Sequence, residues 1–104
     1  MNQDFPMDIE SLMANAKNLQ DRISKAQESL GQMHVKGISG NGAVVIDMTG
    51  KYDLISVVIN PDIMSRGAMA LSELVADAYR DAKAKADTLI DEVMTKVSGG
   101  FSLK

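Results

Sequence analysis

The chain has 104 residues, 45% hydrophobic and 24% charged, a balance that fits one folded domain and excludes a disordered or fibrous chain. It has no cysteine and a single histidine, which excludes disulfides and thiolate metal sites and leaves a zinc centre short of ligands. The formal net charge is −3, so any contact with nucleic acid needs a local stripe of cations rather than a uniformly basic surface.

The chain start lacks the basic and apolar regions of a signal peptide, and no run approaches the roughly 18 apolar residues of a membrane span. A soluble, cytoplasmic protein is expected. Residues 8–30 then carry Ile9, Leu12, Ala16, Leu19, Ile23, Ala26 and Leu30 at alternating steps of three and four. That is a heptad seam, with Ile9, Ala16, Ile23 and Leu30 at a and Leu12, Leu19 and Ala26 at d. Asp8 is placed to cap the first turn and Gly31 to end the last. Such a helix is on the order of 35 Å long, more than a small sheet needs as cover, so part of it is expected to pack on another helix.

Residues 33–38, 43–49 and 54–60 read as strands, separated by Ser39-Gly40-Asn41-Gly42 and Gly50-Lys51-Tyr52-Asp53. Asn41-Gly42 tolerates positive φ at both positions, as the tight turns of antiparallel hairpins require. Connections this short predict a three-stranded antiparallel meander. Val44, Ile46 and Met48 share one face of the middle strand, and Val45, Asp47 and Thr49 the other. The third strand is apolar on both faces, which predicts a sheet-mediated dimer with Val45, Ile55 and Val58 in its interface.

Pro61-Asp62 ends the strands, 63–67 reads as a turn or brief helical connection, and a second helix is expected over 68–97. Leu71, Val75, Ala78, Ala82, Ala86, Leu89, Val93 and Val97 form its wider stripe, suited to packing on a sheet as well as a helix. Residues 1–7 and 99–104 are expected to be flexible. The fold class is thus α+β, with α-β-β-β-α order in a single domain over 1–104.

Little in this pattern supports catalysis. Gly37, Gly40 and Gly42 lack the strand-turn-helix setting and the Lys-Ser/Thr of a phosphate loop. His34 has no second histidine, and Ser39 and Ser65 read as turn residues rather than nucleophiles. Asp77, Asp81, Asp87, Asp91 and Glu92 alternate with Arg80, Lys83 and Lys85, as on a solvated helix face. The methionines at 13, 33, 48 and 94 fall where core is expected. Lys17, Arg22 and Lys25 lie off the first seam, and Arg80 and Lys83 are three apart on the second helix, giving two short basic stripes.

The spelling Val35-x-Gly37-x-Ser39-Gly40-x-Gly42-x-Val44 resembles the hairpin of the YbaB/EbfC nucleoid-associated proteins. The likeness extends over Met-Ala-x-Ala-Lys-x-Leu-Gln at 13–20, Gly50, Val57-Val58-Ile59-Asn60-Pro61 and Leu74-Val75-Ala76-Asp77-Ala78. It implies a non-catalytic homodimer joined through its sheets, with long helices as arms around duplex DNA. No cofactor, metal, membrane or small-molecule substrate is implied. By that likeness Lys17, Arg22, Lys25, Arg80, Lys83 and Lys85 are the phosphate contacts. Val45, Ile55 and Ser56 stand where the family often places basic residues, and Asn60 where it has Asp, so this sheet is more apolar. The alternative reading is a protein-interaction module, a coiled-coil adaptor or chaperone-like holdase.

Overall fold

The computed structural model describes residues 9–99, so the Asp8 cap, the tail expected at 1–7 and all but Gly99 of the tail expected at 99–104 lie outside the described residues. Helix α1 (Ile9–Gln32) leads into strands β1 (His34–Ser39), β2 (Val44–Thr49) and β3 (Leu54–Ile59). A 3-10 turn over Pro61–Arg66 then leads into helix α2 (Ala68–Gly99). The sheet is an antiparallel meander in the order β1-β2-β3. Two helix ends differ from expectation: α1 runs through Gly31, and α2 continues to Gly99.

The hairpin falls where the glycines predict it, with its four-residue connection shifted one position along the chain. Ser39 pairs with Val44, so four residues connect the strands. Gly40 (φ 59°), Asn41 (φ 57°) and Gly42 (φ 93°) all take left-handed conformations, which is why only glycine and asparagine stand there. The second connection is organised by Thr49, whose Oγ1 accepts from the Lys51 and Asp53 N–H groups, each at 3.1 Å. Tyr52 within it has φ 70°, and its hydroxyl donates to Asp87 on α2, anchoring the turn to the helix.

Helix α2 lies across β1 and β2, with Ala78, Ala82 and Ala86 fully buried at one-turn intervals. Their small side chains bring the helix backbone onto the sheet. At Gly37 the approach is so close that a Cβ would stand 2.0 Å from the Ala78 carbonyl oxygen. Val44, Ile46 and Met48 project beneath the helix and, with Ala43 and Ile63, form the core. Each large side chain in that set stabilises the fold by about 1.5–3 kcal/mol through burial.

Only the C-terminal part of α1 joins this core region. Ala26 and Leu30 are buried and Ile23 half-buried, while 9–22 are exposed throughout. The Leu30 carbonyl accepts from the Gly50 N–H at 3.0 Å, fixing the helix end to the sheet. The result is a rod 78 Å long and 23 by 16 Å across. Of the methionines expected in the core, Met48 is fully buried and Met33 and Met94 half-buried. Met13 instead lies exposed on the α1 arm.

Candidate nucleic-acid interface

Three cations in the middle of α2, Arg80, Lys83 and Lys85, are held by neighbouring carboxylates. Arg80 donates to Asp77 at 2.8 Å, one turn back. Lys83 stands 3.9 Å from Asp87 and 5.4 Å from the centre of the Tyr52 ring. Lys85 pairs with Asp81 at 3.0 Å and donates to the Lys36 carbonyl at 2.8 Å. Asp81 in turn accepts the Ile38 N–H at 2.9 Å. That backbone bond, then the bond to Lys85, holds the Asp81 carboxyl below the usual aspartate value. Lys85 and Asp81 are therefore fasteners between α2 and the outer edge of β1, a role that helix periodicity alone does not reveal.

The cations of α1 are arranged differently. Arg22 and Lys25 line one shallow groove with Lys96 of α2, over a floor of Ala26, Met33, Val93 and Val97. Lys25 and Lys96 are exposed and have no ion pair among the described residues. Lys17 lies further along the arm, beside Met13, Ala16 and Asp21. The structure thus gathers Arg22 and Lys25, separates Lys17 from them, and leaves Arg80, Lys83 and Lys85 further back along α2. Lys96 is the residue that sequence reasoning missed. Its signal is a cation in the last turn of α2, a place where lysine also complements the helix dipole.

On the sheet face away from α2, Ile38, Val45 and Val58 stand opposite one another in one cross-strand row. Val58 is 60% exposed and Ile38 47%. Ile55, 51% exposed, falls in the bulge opposite Asp47 and Met48 and has no register partner. His34 sits two rows away, its Nδ1 3.0 Å from Asp47 but out of line for a hydrogen bond. Among the described residues no cluster of three His, Asp or Glu side chains could hold a metal ion. No described helix is long and apolar enough to cross a membrane.

The chain is a helix–meander–helix scaffold that carries exposed cations where its two helices converge. Residues 5–101 match the YbaB/EbfC DNA-binding family, and the chain belongs to it. A nucleoid-associated protein of Bradyrhizobium diazoefficiens is 37% identical over 97 residues, covering 92% of each chain. One from a Cyanothece species is 34% identical over 96 residues, covering 92% of this chain and 84% of that one. An uncharacterized Helicobacter pylori protein of known crystal structure shares the fold, with a TM-score of 0.70 at 17% identity over 91% of this chain and 97% of that one.

Proposed function

We propose that this chain is a nucleoid-associated protein that binds duplex DNA without catalysis, as a homodimer. The observation that carries this reading is the pair Lys25 and Lys96, exposed, without an ion pair among the described residues, and lining one groove where α1 meets α2. A cation with a carboxylate already beside it gains less from a phosphate than a free one, because the existing pair must be broken. Lys25 and Lys96 therefore form the main phosphate contact, with Arg22 beside them in the groove and Lys17 next along the arm. Arg80 and Lys83 contribute less, and Lys85 serves the fold. Contacts of this kind supply affinity without reading sequence.

The dimer supports the same reading by doubling the footprint. Strand β3 is the candidate seam. Leu54, Ile55, Val57 and Val58 are all substantially exposed, and β3 is an edge strand. Its apolar side chains suit a second copy better than water. Val58 and its neighbour Val45, with Ile55 at the bulge, are the residues such an interface covers.

Binding to duplex DNA measured against salt tests the proposal. Replacing Lys25 and Lys96 by glutamine should weaken binding to every sequence and lower the slope of log affinity against log salt by about 0.9 for each phosphate no longer neutralised. The Arg80→Gln, Lys83→Gln pair should change that slope less. Wild-type protein that fails to bind duplex at about 50 mM salt would overturn the DNA reading. The exposed apolar seam on α1 would then favour the protein-interaction alternative.

A further inference from the structure

The heptad seam of α1 has two fates within one helix. Its C-terminal part, Ile23, Ala26 and Leu30, packs inside the chain, and Ala26 lines the groove shared with Val93 and Val97 of α2. The described part of α2 ends at Gly99, close to the level of Arg22, so the same stripe continues outward with nothing opposite it among the described residues. Ile9 is 72% exposed and Leu12 50%, and Ala16 and Leu19 are also exposed. An apolar stripe at 3.5-residue spacing is shaped for another helix with the same repeat, because only such a helix keeps knobs in register with holes along its length.

We propose that the free half of this seam pairs with the same segment of a second copy, antiparallel, as a self-association surface distinct from the sheet. The residue order is complementary to itself in that direction. Antiparallel coiled coils set a positions against d positions, and about a two-fold axis at the level of Ala14 this places Ile9 opposite the second copy's Leu19 and Leu12 opposite its Ala16. Each layer then holds one a and one d residue, and bulky Leu12 meets small Ala16. Within the paired segment 9–19 the e and g positions are Met13 and Asn15, both uncharged, so no like charges oppose the pairing there. The contact spans roughly 16 Å of helix at 1.5 Å per residue, short enough to be weak singly and effective when two arms act together.

Sedimentation velocity without DNA, over a wide protein concentration range, reads the contact directly and independently of DNA binding. Wild type should show a reversible association step beyond its smallest species. Leu12→Gln should abolish that step alone, and Val58→Asp should leave it in place. Orientation is read by disulfide trapping, which the natural absence of cysteine makes clean. A mixture of Leu12→Cys and Ala16→Cys chains should give mainly the mixed disulfide, as antiparallel pairing requires. A single species at all concentrations, an association step unchanged in Leu12→Gln, or preferential Ala16→Cys self-crosslinking would each overturn the proposal.

Discussion

At Gly37 the chain has no room for even one more carbon. The atoms a Cβ would meet are the Ala78 carbonyl oxygen and the Ala82 backbone nitrogen, and backbone cannot rotate aside as a side chain does. Gly37→Ala should therefore destabilise the fold by about 1–3 kcal/mol or more, read as a lower thermal midpoint. Gly42, where an added Cβ would meet nothing within 4 Å, owes its identity to φ 93° alone, and Gly42→Asn should be milder than Gly42→Val. Asp81 makes a different demand. Its folded pKa lies below the ordinary 3.8, so between those two values the unfolded chain binds more protons and stability rises with pH. The contribution is whole above 3.8 and is lost as pH falls through the folded value. Asp81→Asn should be less stable than wild type near neutrality, and the gap should narrow as the two are titrated from about pH 5 to pH 2.

Helix α1 divides into a packed half and an arm, and leucines of one seam should report it. Leu30→Ala, at a fully packed site, should cost about 2–5 kcal/mol in denaturant unfolding. Leu19→Ala, at 37% exposure, should cost less than about 1 kcal/mol at low micromolar concentration. The periodicity of α1 made both residues look alike, because a seam states that a helix partner is wanted without stating whether the chain supplies it. The strands were more legible. Alternation put Val44, Ile46 and Met48 on the buried face, since a period of two leaves no other choice. The pairing of Lys85 with Asp81 across one turn was open to view in the sequence, but its second partner, the β1 backbone 49 residues away, was not. Lys96 escaped for the same reason: its neighbours Arg22 and Lys25 come from the opposite end of the chain, and only packing brings them to one groove.

For the whole molecule, the two outer strands of the sheet present unequal edges. The Asn60 N–H bonds the Ala43 carbonyl at 2.8 Å, so by alternation the Val58 amide points toward β2 and the Val57 amide away from it. Val57→Pro should thus spare the β2–β3 ladder yet block pairing along that edge, and light scattering should show a smaller average mass than wild type. The opposite margin is already closed, because Asp81 takes the outward Ile38 amide and Lys85 the outward Lys36 carbonyl. A sheet with one adhesive edge joins one other sheet and stops, whereas a sheet with two would add copies without end and grow into a ribbon. Asp81 and Lys85 are, in that light, what keeps this apolar sheet countable. Replacing both by alanine should turn a finite assembly into one whose size climbs with time and concentration, visible as rising turbidity and thioflavin fluorescence.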